Sequence, residues 1–181
     1  GRNTQTRRVI KELQEPDRWQ LIPWKYRQTA GITSGFFFKR DDGLEKVIKP
    51  RYRVGEVVYI KEAWWQDSEG DIYYKSDWIR LDGEFVQPRL SKWKSPLFSS
   101  EKYARTFIQI TGVRPERLQE ITDEDAGKEG FNYREYDNPD AYADCPCTNQ
   151  FIQKWDSINP RYPWSGNWWV WRYEFKKVDK P

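Results

Sequence analysis

The first eight residues of the chain bring together side chains that could do chemistry. They read Gly-Arg-Asn-Thr-Gln-Thr-Arg-Arg and place two hydroxyls, two side-chain amides and three guanidinium groups in one short segment. Guanidinium groups bind phosphate or carboxylate, and hydroxyls and amides hydrogen-bond a base or sugar. The segment predicts a polar pocket for an anionic or nucleotide-like ligand, although a solvated basic N-terminus would have the same composition. Its candidate ligand-binding or catalytic residues are Asn3, Thr6, Arg7 and Arg8.

Two residue types restrict the chemistry further. The chain contains no histidine, which removes the commonest general base near neutral pH and the commonest zinc ligand. The only two cysteines, Cys145 and Cys147, form a Cys-Pro-Cys triplet that cannot complete a four-ligand zinc site within one chain. We therefore expect neither a metal nor a cofactor, and any catalysis would use carboxylate, lysine, hydroxyl or thiol groups.

Charge is distributed unevenly along the chain. The formal net charge is only +3, but residues 1–61 carry +7 and the remainder carries −4. A basic part facing an acidic part could steer a phosphate-bearing ligand to one side of the protein. Aromatic residues make up 17% of the chain, with 11 Trp and 11 Tyr. We expect most of them to fill the core and two or three to line a site, where they could stack on bases.

The compartment is predicted from what the sequence contains. No apolar run approaches the roughly 18 to 20 residues that cross a bilayer, and no signal-peptide pattern is present. Two loop thiols without a disulfide framework are typical of a reducing compartment. The sequence therefore predicts a cytoplasmic protein without a membrane partner.

Hydrophobic periodicity predicts mainly strands. Predicted strands cover residues 7–11, 33–39, 44–48, 57–65, 71–75, 103–113 and 167–178, with Asp41-Asp42-Gly43 as a hairpin turn. In the last strand Trp169 and Trp171 face one way, and Val170 and Arg172 face a side that we expect to be wet. In the strand 57–65, Glu62 ends an apolar row, either in a pocket or in an ion pair at a rim.

Two helices are predicted beside these strands. Thr122 can cap a short helix that Gly130 ends, and a second helix from Thr148 carries a stripe of Phe151, Ile152, Trp155 and Ile158 that we expect in the core. The segment 83–100 is a candidate lid, and the acidic stretch 132–144 is predicted to be a surface loop. The elements predict an α+β fold, a small mixed β-barrel with two or three helices and long loops, as a single domain over residues 1–181.

Three blocks of the sequence together resemble the phage-type ASCH family, whose members are small PUA-like barrels. They are the opening Gly-Arg-Asn-Thr-Gln-Thr-Arg-Arg, the Val-Gly-Glu-Val-Val-Tyr-Ile-Lys-Glu-Ala-Trp of residues 54–64, and residues 104–130 with Ala-Arg-Thr and Ile-Thr-Asp-Glu-Asp-Ala. The closing residues 155–159 and 167–175 are similar as well, so the resemblance covers nearly the whole chain. Family members usually carry a further strand and helix ahead of the opening turn, which we expect this chain to lack.

The resemblance implies association with nucleic acid, chiefly RNA, or with a nucleoside or nucleotide. In this hypothesis the arginines contact phosphate, Thr6 and Asn3 contact a base or sugar, and Trp64 or Tyr103 stacks on a base. Further candidate ligand-binding residues are Lys61, Glu62 and Arg105.

Two alternatives remain open at this point. Some ASCH proteins are acetylcytidine amidohydrolases that use a Lys, a Thr and a Glu, and the resemblance places Thr6 and Glu129 at the Thr and Glu positions. Asn3 stands at the Lys position, and an amide cannot accept a proton as an amine can. The other alternative is a phage protein that binds a host protein through its aromatic surface.

Overall fold

The computed structural model describes residues 3–23, 35–78, 93–131 and 147–181. These residues form a strand-rich α+β structure with nine strands and two α-helices. The strands are β1 (Gln5–Val9), β2 (Trp19–Leu21), β3 (Phe36–Arg40), β4 (Glu45–Ile48), β5 (Val57–Tyr59), β6 (Trp64–Gln66), β7 (Ile72–Tyr74), β8 (Phe107–Arg117) and β9 (Trp169–Val178). The helices are α1 (Asp123–Lys128) and α2 (Cys147–Ile158).

The chain separates into two units. The first unit contains Gly1–Glu56 and Ile110–Lys176, and the second contains Val57–Gln109 and Lys177–Pro181. The single domain that the sequence predicts over residues 1–181 stays a prediction. No helix in the described part of the chain is long and apolar enough to cross a bilayer.

The first unit is built on β9, which lies between β1 and β8. β1 and β9 are antiparallel, with Thr6 opposite Tyr173 and Arg7 opposite Arg172. Because successive side chains of a strand point to opposite faces, Arg7 and Arg172 share one face of this sheet. Thr6 and Tyr173 share the other face.

The face that carries Arg7 packs against the two helices. Its apolar core is made of Leu118, Ile121, Ala126, Cys147, Phe151, Trp155 and Val170. The predicted capping of α1 is confirmed, because the Thr122 hydroxyl accepts a hydrogen bond from the Asp125 N–H at 3.1 Å. The predicted α2 stripe is confirmed for Phe151 and Trp155, but Ile158 is 57% exposed. Ile158 is the last residue of α2, so no further turn of the helix shields it.

The opposite face of β9 is covered by aromatic residues of the sheet β2-β3-β4. Phe38 packs edge-on against Trp169 with ring centroids 5.2 Å apart, and Phe36 packs against Trp171 at 5.1 Å. The predicted hairpin β3-β4 is confirmed, with its turn at Gly43 in a positive-φ conformation. Both faces of β9 are therefore covered over residues 169–173, and the predicted wet face is wrong there, since Arg172 on that face is only 8% exposed. Towards the end of the strand Lys176 is exposed, as predicted.

The second unit is built from shorter strands. β5 pairs with the first three residues of β8, and β6 pairs with β7. The single strand predicted over residues 57–65 is wrong, because this segment forms two separate strands. β5 pairs with β8 and β6 pairs with β7, and the chain is not in a strand between Tyr59 and Trp64. The strand predicted from Tyr103 begins only at Phe107, since Glu101–Tyr103 form a 3₁₀ turn.

Some sequence predictions fall on other parts of the chain. Residues 83–92 of the predicted lid lie outside the described residues, and within the remainder Pro96–Phe98 form a 3₁₀ turn. The predicted surface loop 132–144, the first two residues of the opening motif and Cys145 also lie outside them. Cys147, the first residue of α2, is buried, and its thiol donates a hydrogen bond to the Phe131 carbonyl oxygen at 3.4 Å.

Candidate functional site

Arg7 lies at the centre of a buried cluster of charges. Its side chain is 0% exposed. Its guanidinium contacts Glu116 Oε1 at 2.6 Å, Glu129 Oε1 at 2.6 Å and Asp125 Oδ2 at 3.3 Å. A guanidinium has five N–H donors in a planar fork, so it can serve three carboxylates at once. Because all three partners are protein carboxylates, Arg7 is assigned to holding this cluster rather than to contacting a phosphate.

Arg172, opposite Arg7 in the sheet, completes the cluster. Its guanidinium lies 3.1 Å from Asp125 Oδ1, 2.9 Å from Glu174 Oε1 and 3.6 Å from Glu116 Oε2. Asp125 and Glu116 are therefore shared between the two arginines. Charges buried in this way are tolerated because each lies next to opposite charges, although Arg172 Nε has no hydrogen-bond partner among the described residues.

The pKa values of two carboxyl groups in the cluster are shifted in opposite directions. Burial raises the pKa of Glu129, and the attraction of the Arg7 guanidinium only partly offsets it. Burial also acts to raise the pKa of Asp125, but the guanidinium groups of Arg172 and Arg7 outweigh it and hold that pKa below its usual value. Perturbed carboxyl groups of this kind occur both in catalytic sites and in structural ion-pair networks.

The hydrolase alternative requires Thr6 and Glu129 to act as nucleophile and base. Glu129 contacts Arg7 on one face of the sheet, whereas the alternation of β1 directs Thr6 to the other face. A nucleophile and its base must lie within hydrogen-bond reach of each other. Asn3 lies against Gly130, next to Glu129, and thus also away from Thr6. This arrangement does not assemble the three predicted catalytic residues.

The first unit contains a cavity of about 640 Å³ beside β1 and β9. Arg8 and Tyr173 line it from the face that carries Thr6, and Arg7 and Val9 line it from the other face. Five exposed basic residues line it: Arg8, Lys11, Lys49, Arg51 and Arg161. Four aromatic residues line it as well: Tyr52, Tyr162, Trp171 and Tyr173. Within the described part of the chain, none of the five basic groups has a carboxylate within ion-pair distance, and Glu12 is the acidic residue of the lining. The cavity therefore presents positive charge that no ion pair between the described residues neutralises.

The loop after β4 is fixed to the floor of the cavity by Tyr173. The Tyr173 hydroxyl accepts a hydrogen bond from the Arg51 N–H at 3.1 Å. The Tyr52 ring stands edge-on to the Tyr173 ring, with centroids 5.7 Å apart. Burial raises the pKa of Tyr173, so the hydroxyl stays protonated at neutral pH. Tyr173 thus positions both Arg51 and Tyr52.

A second loop, after α2, is fixed in a comparable way. The Tyr162 carbonyl oxygen accepts a hydrogen bond from the Trp155 indole N–H at 2.7 Å, and the Tyr162 N–H donates to Asn159 O at 2.8 Å. The Tyr162 ring is edge-on to Trp168, with centroids 5.1 Å apart. The core of the unit therefore determines where Tyr162 and its neighbour Arg161 lie.

The other predicted ligand-binding residues belong to the second unit, where other side chains engage them. Glu62 forms an ion pair with Arg105 at 2.8 Å, and this guanidinium lowers the pKa of Glu62. Trp64 is 4% exposed and stacks on Tyr103 with ring centroids 4.4 Å apart. Of the two positions predicted for Glu62, a pocket or an ion pair, the structure shows the ion pair. Trp64 is buried, so its ring is not accessible to a base.

The remaining basic candidates of the second unit contact aromatic rings. Arg105 lies over Tyr74, at 4.1 Å from the ring centroid, and also contacts Asp77 at 2.6 Å. The exposed Lys61 ammonium lies 5.9 Å from the Tyr59 ring centroid. None of these residues lines the cavity of the first unit. Of the predicted site residues, Arg7 and Arg8 are the two among the lining.

Sequence reasoning missed most of the cavity, although the sequence carries a signal for it. The triplet Pro-Arg-Tyr occurs twice, at residues 50–52 and 160–162. The arginine and the tyrosine of both copies line the cavity. The copies are 110 residues apart, and each looks like an ordinary turn when it is considered alone.

Comparisons of the chain with protein-family models, with curated proteins and with solved structures found no match. Among the described residues, no cluster of three or more histidine, cysteine or acidic side chains could hold a metal ion. The fold and the site thus define a strand-rich α+β protein with a basic, aromatic cavity.

Proposed function

We propose that this chain binds nucleic acid, chiefly RNA, or a nucleotide, through the cavity of its first unit. The observation that carries the proposal is the row of five basic side chains around the cavity, none of them engaged by a described carboxylate. Other arginines of the unit are engaged by carboxylates: the buried Arg7 of the lining contacts three, and Arg18, away from the cavity, contacts Asp41 at 2.8 Å. Unpaired cations concentrated in one concavity favour an anionic ligand.

The aromatic lining favours a ligand with bases rather than a simple anion. A phosphate or carboxylate is bound by guanidinium groups, backbone N–H groups, lysines or hydroxyls, and the faces of aromatic rings add nothing to such a site. Bases stack on aromatic rings, which is how proteins recognise unpaired nucleotides. Tyr52 and Tyr162 are half-buried in the lining, so part of each ring is accessible.

The family resemblance supports the same proposal independently of the cavity. It rests on the opening motif, on residues 54–64 and on residues 104–130 taken together. We propose on this basis that the chain is a phage-type ASCH domain whose strands form a PUA-like barrel. A cytoplasmic location belongs to the same proposal and rests on the two cysteines without a disulfide framework.

Salt dependence tests this function. The chain is titrated into a fluorescein-labelled 12-nucleotide RNA of mixed sequence, at several NaCl concentrations, and binding is followed by fluorescence anisotropy. We expect log affinity to fall linearly with log salt, with a slope of about −0.7 for each phosphate contacted. In the double variant Lys49→Gln/Arg51→Gln the slope should become shallower by roughly one to one and a half.

A matched variant separates site binding from general charge. Lys154 is exposed on α2 and does not line the cavity, so Lys154→Gln removes one positive charge away from the site. It should leave both affinity and slope nearly unchanged. Absence of RNA binding, or equal effects of Lys154→Gln and Arg51→Gln, would overturn the proposal.

A further inference from the structure

The three-residue motif Pro-Arg-Tyr occurs twice beside the cavity. Pro50-Arg51-Tyr52 follows β4, and Pro160-Arg161-Tyr162 follows α2. In both copies the arginine is exposed and the tyrosine is half-buried. In both copies the tyrosine and its neighbouring arginine line the cavity. The two turns thus present the same pair of chemical groups, a guanidinium beside a phenol ring.

Both tyrosine rings are also held in the same manner. Tyr52 is edge-on to Tyr173 of β9, with an interplanar angle of 70°, and Tyr162 is edge-on to Trp168, immediately before β9, with an angle of 89°. An edge-on contact fixes a ring without stacking another ring parallel to it. Each tyrosine is therefore held in one orientation by a ring that is not parallel to it, and the Arg51 guanidinium also lies over the Tyr52 ring, 5.3 Å from its centroid.

We infer that the cavity binds two consecutive nucleotides of a single strand, one at each Pro-Arg-Tyr turn. This inference rests on the proposed function. At each turn the guanidinium contacts a phosphate and the tyrosine ring stacks on the attached base. Arg8, Lys11 and Lys49 add positive charge for the strand that enters and leaves.

A single strand fits this geometry better than a duplex does. In a duplex the bases are stacked on one another and show only their edges, so aromatic rings in a concavity cannot reach a base face. Proteins that read duplex DNA insert a protruding helix or ribbon into a groove, whereas here the basic groups surround a hollow. A single strand can turn its bases towards the rings.

The volume of the cavity limits how much of the strand enters. Sites for single small ligands span about 300 to 1,000 Å³, and this cavity, at about 640 Å³, lies in the middle of that range. It suits one or two nucleotides and not a long segment. Two equivalent turns make two nucleotides the natural occupancy.

Competition by short oligonucleotides tests this inference on the whole chain. The displaced probe is the labelled 12-nucleotide RNA, and the competitors are a 5′-phosphorylated mononucleotide, dinucleotide and trinucleotide of uridine. We expect the dinucleotide to compete about five- to hundredfold better than the mononucleotide, because it adds one stacked base. The trinucleotide should add less than about threefold.

Two further ligands distinguish bases from phosphates. The same 12-nucleotide sequence is offered as a duplex and as a single strand of abasic deoxyribose phosphates, which has the charge but no bases. Both should bind at least about tenfold more weakly than the single-stranded RNA. Tyr52→Leu and Tyr162→Leu should each weaken the RNA and leave the abasic strand unaffected, while Arg51→Gln and Arg161→Gln should weaken both.

The outcomes separate this inference from the function on which it rests. Equal binding of the duplex or the abasic strand, equal competition by mononucleotide and dinucleotide, or no effect of either tyrosine variant would overturn the two-nucleotide site while leaving RNA binding in place. If no nucleic acid or nucleotide binds at all, the proposed function fails and this inference fails with it.

Discussion

Arg7 of β1 lies directly opposite Arg172 of β9, and both guanidinium groups are buried on the same face of the sheet. Two like charges side by side would repel each other in a sheet. They are compatible here because Glu116 and Asp125 each contact both arginines. The cluster therefore joins β1 to β8, to β9 and to α1 through charge rather than apolar packing.

Loss of Arg7 should destabilise the protein strongly. Arg7→Met would leave Glu116 and Glu129 buried with one cation fewer, and removing one partner of a buried ion pair costs about 3 to 5 kcal/mol. The free energy of unfolding, measured by urea titration with circular dichroism, should fall accordingly. Arg18→Met is the control, since Arg18 is also paired with a carboxylate but its side chain is 38% exposed, so little change is expected. Equal losses in both variants would contradict this account.

The pKa of Glu129 makes stability depend on pH. Because burial raises this pKa above the ordinary value of 4.5, the folded state keeps its proton at pH values where the unfolded chain has lost it. The unfolding free energy contributed by Glu129 therefore falls as pH rises from about 4.5 through the folded-state pKa. Glu129→Gln lacks this contribution.

The measurable result is a difference between two pH profiles. The unfolding free energy of Glu129→Gln minus that of the unmodified chain should increase with pH above 4.5 and then become constant. Asp125→Asn should show the opposite sign at lower pH, because the pKa of Asp125 is lowered and its stabilisation is lost as pH falls below its usual range. A pH-independent difference for Glu129→Gln would disprove the raised pKa.

The local structure could largely be predicted from sequence. The cap at Thr122 and the turn at Gly43 depend on neighbouring residues, and both predictions are confirmed. The division of the β9 side chains between two faces is confirmed for Trp169, Trp171 and Val170. The prediction that Arg172 faces water was wrong. Alternation states which side chains share a face but not what packs on that face, which depends on contacts with distant parts of the chain.

The candidate site was harder to predict for the same reason. The opening motif identified Arg7 and Arg8, and both line the cavity. Neighbouring positions of a strand point to opposite faces, so the Arg7 side chain is buried in the charge cluster whereas Arg8 is exposed. Arg51 and Arg161 belong to distant turns and line the same cavity only in the folded chain. Their shared Pro-Arg-Tyr pattern was visible in the sequence, but three residues alone carry little specificity.

Tyr173 should affect RNA binding without touching phosphate. Tyr173→Phe removes the hydroxyl that accepts the Arg51 N–H at 3.1 Å, which leaves that donor unpaired and releases the loop that carries Arg51 and Tyr52. We expect RNA affinity to fall about threefold to tenfold. Tyr74→Phe is the matched control, since it removes a hydroxyl bonded to Tyr103 O at 2.6 Å in the second unit. Anisotropy titrations measure the RNA affinity of both variants. If Tyr173→Phe and Tyr74→Phe bind RNA with the same affinity, Tyr173 has no positioning role.

Two glycines around α1 should respond to alanine in opposite directions. Gly130 follows the helix with a φ of +101°, a conformation that L residues adopt only with strain, and a Cβ there would also meet the Asn3 side chain. Gly130→Ala should lower the free energy of unfolding by about 1 to 3 kcal/mol. Gly127 lies inside the helix, where an added methyl group would have open space around it, so Gly127→Ala should raise that free energy by up to about 1 kcal/mol. Urea titrations of the two variants measure both effects, and a loss of stability in Gly127→Ala would show that the helix does not have this conformation.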